Sequence, residues 1–238
     1  MSVFPDNVKY LSTPRIIEGG LSAGNYHNFN LALHVGDEES SVNANRKLLL
    51  ERYNLPSEPR WIKQTHSNIC RRTEKKHVIA EADASYTKQR GLVCAVLTAD
   101  CLPVFVSNKQ GSIVGIAHAG WRGIVGGVIE SLLKATNVNG KDLIVHLGPA
   151  ISVSSFEVGA EVRDQYIDKN KSFVNCFTVS TEKIYLDLYK AAKVVLNESG
   201  VVSVSGGGYC TYRDRKEFFS YRRDGKKSGR MAHLIWME

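Results

Sequence analysis

Two histidines and one cysteine stand in short motifs that are far apart in the sequence. His66 ends the motif KQTH, Cys101 lies within TADCLP, and His118 begins HAGWRG. Two imidazoles and a thiolate make three protein ligands for zinc, and three ligands with an open fourth position are typical of a catalytic zinc site. Such a metal lowers the pKa of bound water to about 7 and so supplies a nucleophile. The trio predicts a catalytic metal site if the fold brings the three residues together.

The same residue types have other interpretations. A Cys101 thiolate with His118 or His66 as its base could act as a covalent nucleophile. The trio could equally be a buried cysteine and two hydrogen-bonded histidines. Copper also binds His and Cys, but none of the seven histidines forms an H-x-H pair and no methionine lies near Cys101 as an axial ligand. The residues therefore give poor support to multicopper oxidation. A covalent cysteine nucleophile and a buried, hydrogen-bonded trio both stay open as alternatives to the metal site.

Residues around the trio indicate an anionic substrate with a planar group. Arg122 lies near the start of a predicted helix, where its guanidinium and the helix N-terminus would both favour phosphate. Asp100, beside Cys101, could orient a ligand histidine or simply cap a turn. Trp121 and Tyr221 could stack on a planar base, although side chains of these types more often belong to a core.

A basic segment near the C-terminus supplies further candidates for binding an anion. Residues 213–230 contain eight Lys/Arg and three Asp/Glu, within a chain whose net charge is +7. Arg222 and Arg223 are the predicted phosphate ligands in this segment. A solvated, charged hairpin would explain the charge equally well. No helix-turn-helix, zinc-finger or RNA-binding signature accompanies it, so we expect a small anion and not nucleic acid as the partner.

The elements that must position these residues are clearest in the middle of the chain. Apolar runs predict buried strands at 92–97, 104–106, 113–117 and 143–147. Helical spacing predicts helices at 42–53, 120–135 and 187–196, the last ending before Gly200. Further strands are expected at 60–65, 201–205, 217–222 and 232–236. The irregular alternation predicts an α+β or α/β fold, with a mixed sheet and helices on its faces.

Length and composition exclude several classes of protein. The chain has 238 residues, of which 43% are hydrophobic and 23% charged, which excludes disordered, collagen-like and coiled-coil chains. No apolar stretch reaches the roughly 20 residues of a membrane helix, and no signal-peptide pattern begins the chain. The five cysteines form no C-x-x-C pair and argue against a disulfide framework. We expect a soluble, cytoplasmic protein with one domain over residues 1–238.

Longer motifs resemble those of the YfiH family over nearly the whole chain. In the same order, the chain contains TADCLPV (98–104), HAGWRG (118–123), GPAI (148–151), FEVGAEVR (156–163) and CTY…FFSYRRD…GRMAHLIW (210–236). Members of that family have been described as laccase-like polyphenol oxidases and as purine nucleoside phosphorylases with adenosine deaminase activity. The resemblance implies a single three-layer domain with a mixed sheet flanked by helices.

The resemblance also implies a site and a set of substrates. Zinc would be bound by His66, Cys101 and His118, the trio already described. The implied reactions are phosphorolysis of adenosine, inosine, guanosine and methylthioadenosine, and deamination of adenosine to inosine. A role in correcting peptidoglycan precursors has been attached to bacterial members. Copper-dependent polyphenol oxidation and a cysteine hydrolase or amidase acting on such precursors are therefore the alternatives.

One motif departs from the family pattern. The family usually has Thr-Arg shortly before GGVS, whereas Pro14-Arg15-Ile16-Ile17-Glu18 precedes GGLS in this chain. Arg15 could fill the family position only if the loop carries an extra residue. It is therefore left outside the predicted site.

Overall fold

Three β-sheets organise the chain in the computed structural model, which describes residues 3–76 and 78–238. His77 lies outside the described residues. The strands are β1 Val8–Ser12, β2 Cys70–Arg72, β3 Ala84–Thr87, β4 Cys94–Thr98, β5 Leu102–Asn108, β6 Val114–Ala119, β7 Leu143–Leu147, β8 Glu157–Val158, β9 Phe177–Ser180, β10 Lys183–Leu186, β11 Ser203–Gly206 and β12 Met231–Met237. The α-helices are α1 Glu39–Arg52, α2 Trp121–Gly126, α3 Val128–Thr136, α4 Ala160–Lys169, α5 Leu188–Glu198 and α6 Tyr221–Asp224.

The largest sheet has six strands in the order β11-β7-β5-β6-β3-β2. Its outer pairs, β11–β7 and β2–β3, are parallel, whereas β7, β5, β6 and β3 pair antiparallel. Every residue of β5 and β6 is buried. Strands covered on both faces are apolar throughout and do not alternate, which is why their positions were predicted from the sequence.

A second sheet, β1-β12-β4, packs face to face with the first. Val96 and Ile235 of the small sheet meet Phe105 and Ile116 of the large one in a buried core. Leu49 of α1 packs in a second core on the outer face of the small sheet, and helices α3 and α5 cover the outer face of the large sheet. The order of layers is therefore helix, sheet, sheet, helix.

The expected α+β class, with a mixed sheet flanked by helices, is confirmed. Two packed sheets form the interior of this stack. β4 and β5 are adjacent in sequence and both wholly buried, and yet they belong to different sheets. Hydrophobic pattern shows that a strand is covered on both faces but not by what. The chain changes sheets at residues 99–101, where Asp100 has a φ of 94°.

Other differences from the sequence-based expectations are local. The segment 60–65, expected as a strand, makes only isolated bridges at Arg60 and Lys63. The segment 217–222, also expected as a strand, is a loop that leads into α6. The prediction of a strand at 217–222 is therefore wrong, whereas β12 lies where the strand over 232–236 was predicted. A third small sheet, β8-β10-β9, was not foreseen.

The predicted helix over 120–135 is interrupted. It ends as α2 at Gly126 and restarts as α3 at Val128, because Gly127 adopts a left-handed conformation with φ 93° and ψ 30°. The other two predicted helices agree with α1 and α5, and Asp187 caps α5 by accepting a hydrogen bond from the Lys190 amide. No helix among the described residues is long and apolar enough to cross a bilayer.

Replacing Gly127 by alanine should lower the free energy of unfolding by about 1–2 kcal/mol, because a Cβ is disfavoured in the left-handed region. Space is not the cause, since the nearest side-chain atom would lie 3.8 Å from that Cβ. The matched control is Gly126→Ala, at a helical position where an added Cβ meets nothing within 4 Å. Urea unfolding should show the control unchanged or slightly stabilised. Equal losses in both variants would contradict the conformational explanation.

Candidate metal and anion site

The three predicted ligands meet in the structure. His66 lies in the loop before β2, Cys101 in the turn between the two sheets, and His118 near the end of β6. The donor atoms of the three side chains all lie within 4.8 Å of one another. Cys101 Sγ is 4.0 Å from His66 Nε2, and the two imidazole rings are 4.8 Å apart between centroids. The fold therefore brings together side chains that are 35 and 17 residues apart in sequence.

His118 is held by a buried carboxylate. Only 5% of the residue is exposed, and its Nδ1 lies 2.8 Å from an oxygen of Asp83. The His118 amide also donates to the Asp83 carbonyl, at 2.7 Å. With Nδ1 directed to Asp83, Nε2 is the nitrogen available to a metal or a proton. Carboxylates behind ligand histidines commonly fix the ring in this way.

Asp83 also shapes the loop that carries His66. Its carboxylate, wholly buried, accepts hydrogen bonds from the amides of Thr65, His66 and Ser67, and from the Ser67 hydroxyl. Burial by itself would raise the pKa of Asp83, but the hydrogen bonds from His118 and Ser67 outweigh it and lower the pKa to about 2. The charged carboxylate thus holds His66, whose φ is 60°, in a conformation that non-glycine residues seldom adopt.

Asp83 was not predicted from the sequence, in which Asp100 was the acid expected either to orient a ligand histidine or to cap a turn. Asp100 instead accepts hydrogen bonds from the Thr211 hydroxyl and the Arg222 amide, each at 2.6 Å. It fastens the C-terminal segment to the turn beside Cys101 and orients no histidine. The signal that could have revealed Asp83 is its setting, an acid between two alanines at the start of a buried strand, where a carboxylate needs partners.

The electrostatics of the trio favour a thiolate. Burial raises the pKa of Cys101, but the charge and hydrogen bonding of His118, followed by those of His66, lower it to about 6. Conversely, burial lowers the pKa of His118, while Cys101 and Asp83 raise it to about 9. The charged sulfur is therefore stabilised before any metal is considered, and a thiolate is a strong ligand for zinc or Cu(I).

The donor set fits a metal ion of zinc size. Tetrahedral ligands at zinc distances lie roughly 3.3–3.8 Å from one another, slightly closer than the separations of up to 4.8 Å in the trio. Gly120 allows this approach, since a Cβ there would lie 2.8 Å from Cys101 Sγ and 3.2 Å from the His66 ring. Three protein ligands would leave a fourth coordination position of such an ion open.

The trio lies in the wall of a cavity of about 420 Å³, a volume typical of small-molecule sites. Aromatic rings of Trp121, Phe156 and Tyr221 line it, together with the apolar side chains of Ile151 and Leu188. The motifs HAGWRG, GPAI, FEVGAEVR and FFSYRRD thus each contribute to one cavity. The Gly/Asn-rich segment 19–31 contributes no lining residue, whereas His34, which follows it, does.

Two of the predicted phosphate ligands line this cavity. The guanidinium of Arg122 stacks on the ring of Trp121 at 4.2 Å and has no hydrogen bond or ion pair to another described residue. Arg222 stacks on Phe156 at 5.2 Å and donates one hydrogen bond, to the Glu157 carbonyl. The helix N-terminus expected to assist Arg122 belongs to α2, a helix of only six residues, so the guanidinium is the stronger anion ligand.

Arg223 does not belong with the other two. It is absent from the cavity lining, and its N–H groups donate to the carbonyls of Thr211, Tyr212 and Phe218 and to Asp224. Because its N–H donors are used within the protein, Arg223 is a structural arginine, and its predicted role as a phosphate ligand is wrong.

Arg15, left outside the predicted site, does not line the cavity. It donates to the carbonyls of His27 and Arg215, and it lies 3.8 Å from Asp224.

Arg230 is a cavity residue that was not predicted from the sequence. It lines the cavity and lies over the Tyr221 ring at 5.7 Å. Burial, and then the charges of Arg230 and Arg46, lower the pKa of the neighbouring cavity residue His34. Within the basic segment, sequence alone does not distinguish Arg230, which faces the cavity, from Arg223, which does not.

Comparison with known proteins links this site to a family. The model of the family described as "Multi-copper polyphenol oxidoreductase laccase" matches residues 12–238. The purine nucleoside phosphorylase YfiH of Escherichia coli is 42% identical over 234 residues, which cover 98% of this chain and 95% of that protein. A purine nucleoside phosphorylase of Haemophilus influenzae is 40% identical over 237 residues, covering 98% and 96% of the two chains.

Solved structures agree with these similarities. The crystal structure of a Neisseria meningitidis protein matches with a TM-score of 0.94 at 40% identity, and covers 100% of this chain and 97% of that one. YlmD from Geobacillus stearothermophilus matches with a TM-score of 0.88 at 26% identity, covering 98% and 93%. The fold is therefore shared over the whole chain.

Replacing Asp83 by asparagine should weaken zinc binding about 10–100-fold, the usual effect of losing a carboxylate behind a ligand histidine. The amide NH2 cannot accept the hydrogen bonds that now hold His118 and the 65–67 loop. Titration with zinc against a competing chelator would measure the change. The control is Glu81→Gln, which removes only the exposed ion pair with Lys63 and should bind zinc as the parent does. Equal affinities in Asp83→Asn and the parent protein would refute the positioning role.

Proposed function

The chain belongs to the YfiH family, since the family model spans residues 12–238 and the Escherichia coli member is 42% identical, and from that premise we propose that it is a purine nucleoside phosphorylase. The observation that carries the proposal is the composition of one cavity. It combines the His66, Cys101 and His118 cluster, aromatic walls and the unpaired cation Arg122. The aromatic walls suit a purine, the free guanidinium suits phosphate, and the cluster can hold a metal ion beside both.

The proposed roles follow from the chemistry of phosphorolysis. A phosphate oxygen attacks the anomeric carbon of the sugar while the bond from that carbon to the purine nitrogen breaks. Arg122 and Arg222 bind the phosphate, because their guanidinium groups face the cavity and Arg122 has all its donors available. Trp121 and Tyr221 supply faces on which the purine can stack. Adenosine, inosine, guanosine and methylthioadenosine are the proposed substrates, in the cytoplasm.

We propose zinc as the resident metal, held by His66, Cys101 and His118. When bound, zinc would supply a Lewis acid and lower the pKa of a coordinated water. The protein's own part is to keep the Cys101 sulfur charged, to keep His118 Nε2 free by occupying Nδ1 with Asp83, and to exclude a side chain at Gly120. Deamination of adenosine, in which water replaces the 6-amino group, is the proposed second reaction of the same cavity.

A thiol hydrolase is the second candidate, and one observation favours it. Cys101, His118 and Asp83 are connected in the order of nucleophile, base and orienting carboxylate, and the pKa of Cys101 is lowered to about 6. Such an enzyme would cleave an amide, as in a peptidoglycan precursor. It would lose activity when Cys101 is alkylated and would be indifferent to chelators. A copper-dependent polyphenol oxidase would instead consume oxygen with phenols and lose that activity on removal of copper.

Adenosine should give free adenine only when phosphate and metal are both present, and inosine with or without phosphate. Chromatography of metal-replete and chelated protein would measure both products. Cys101→Ala and His118→Ala should lose bound zinc and both activities together, because each removes one ligand of three. His27→Ala, which changes an exposed histidine outside the cavity, is the control. Full turnover in a zinc-free variant would disprove the metal-dependent mechanism.

Arg122→Ala should raise the KM for phosphate about 10–100-fold, the range expected for hydrogen bonds to a charged group, with at most a small change in the KM for the nucleoside. Arg163→Ala, on the surface of α4 and outside the cavity, serves as the control. Steady-state kinetics with each substrate varied in turn would separate the two constants. An equal rise in both would identify Arg122 as a structural residue.

A further inference from the structure

Three polar side chains form a continuous chain of hydrogen bonds between the two packed sheets. Ser12 Oγ of β1 lies 2.7 Å from His233 Nδ1 of β12, and His233 Nε2 lies 2.8 Å from Thr98 Oγ1 of β4. Ser12 and His233 are paired across the strands, and Thr98 follows on the third strand. The three side chains therefore cross the width of the small sheet on one face. Neither the metal cluster nor the proposed anion ligands include any of them.

The two ends of this chain lie at different cavities. Thr98 lines the cavity that contains the metal cluster. Ser12 lines a second cavity, of about 600 Å³, together with Tyr10, His146 and Tyr209. No lining residue is common to the two cavities. The second cavity communicates with solvent, since 48% of Tyr209 is exposed.

The residue in the middle is suited to pass a proton in either direction. His233 is wholly buried, and burial, followed by the charge of His118, lowers its pKa to about 3. The ring is therefore neutral, with one N–H and one lone pair, and each of its nitrogens faces a hydroxyl. Phe105 is the aromatic ring beside it, 6.2 Å away between centroids.

A purely structural role does not account for these residues well. The surrounding core contains Val96, Phe105 and Ile235, and a buried polar group costs stability unless it is fully hydrogen-bonded. Apolar side chains of similar size would fill the space without that requirement. The continuity of the chain from one cavity to the other suggests a use beyond packing.

We propose that Ser12, His233 and Thr98 form a proton relay between the solvent-accessible second cavity and the cavity of the metal cluster. The proposal rests on the phosphorylase function proposed above. Thr98 is the group that reaches the reacting molecules, and His233 and Ser12 act through it as positioning residues. The relay keeps a proton donor available inside the cavity and connects that donor to solvent.

The transfer balances over one turnover. As the glycosidic bond breaks, Thr98 gives its hydroxyl proton to the departing purine nitrogen and takes the Nε2 proton of His233. His233 Nδ1 takes the Ser12 proton, and a water in the second cavity gives a proton to Ser12 and becomes hydroxide. The proton that hydrogen phosphate loses on forming its bond to the sugar returns along the same groups to that hydroxide, which becomes water again. The imidazole regains its first tautomer, and the net transfer is one proton from phosphate to purine.

The decisive variant is Ser12→Ala, because it cuts the relay at the end away from the substrates. We expect kcat for phosphorolysis of inosine to fall about tenfold or more, within the range of general acid catalysis, with bound zinc and both KM values unchanged. The solvent deuterium isotope effect on kcat should rise. The control is Ser107→Ala, which removes another buried serine hydroxyl, bonded only to backbone carbonyls of β5 and the 113 turn.

A second pair of variants keeps the test decisive if Ser12→Ala does not fold. Thr98→Val preserves the shape of the side chain but not its hydroxyl, and should lower kcat by at least as much. Thr98→Ser should regain most of that rate. A parent protein with no phosphorolysis would overturn the proposed function, and the relay with it. An active parent whose Ser12→Ala variant keeps kcat within about twofold, or Thr98→Val with the rate of Thr98→Ser, would overturn the relay alone.

Discussion

The buried carboxylate of Asp83 is the group on which the site depends. It binds two separate parts of the chain, the amides of the loop that carries His66 and the Nδ1 of His118. Because its pKa is about 2, it is charged at neutral pH and is stabilised by these hydrogen bonds and by the charge of His118. Its lowered pKa adds to folding stability above the ordinary aspartate value near 4, and that contribution fades as the pH falls towards 2. Folding and assembly of the cluster therefore share one interaction.

The second constraint is the turn between the two sheets. β4 and β5 are both completely buried and belong to different sheets. The chain between them therefore crosses from one sheet to the other within residues 99–101. Cys101 stands on that crossing, where β6 brings His118 beside it. Asp100 uses its carboxylate to tie the turn to Thr211 and the Arg222 amide. Residues 99–101 therefore position both the Cys101 sulfur and the C-terminal segment that carries Arg222.

Sequence was informative where a residue's own chemistry or a long apolar run decides the outcome. His66, Cys101 and His118, which the structure brings together, were singled out by their residue types, and β4, β5, β6 and β7 were predicted from runs that only buried strands tolerate. It failed where the outcome depends on partners distant in sequence. Asp100 was considered because it adjoins Cys101 and Asp83 was not, although hydrogen bonding to His118 is decided by the pairing of β3 with β6. The left-handed conformation of Gly127 could likewise not be predicted, because the helical spacing of apolar residues continues on both sides of it.

The contacts of the arginines explain why Arg122, and not Arg223, is the proposed anion ligand. Arg223 is immobilised by hydrogen bonds to carbonyls and Asp224, which use the donors that an anion would need. Arg122 is positioned instead by the face of Trp121. A guanidinium stacked on a ring keeps its N–H groups in the plane and unoccupied, because the cation–π attraction acts through the face. Ring stacking therefore fixes a charge without consuming its hydrogen-bond donors, and Arg122 keeps the N–H groups that the proposed phosphate would need, in the cavity that also contains His66, Cys101 and His118.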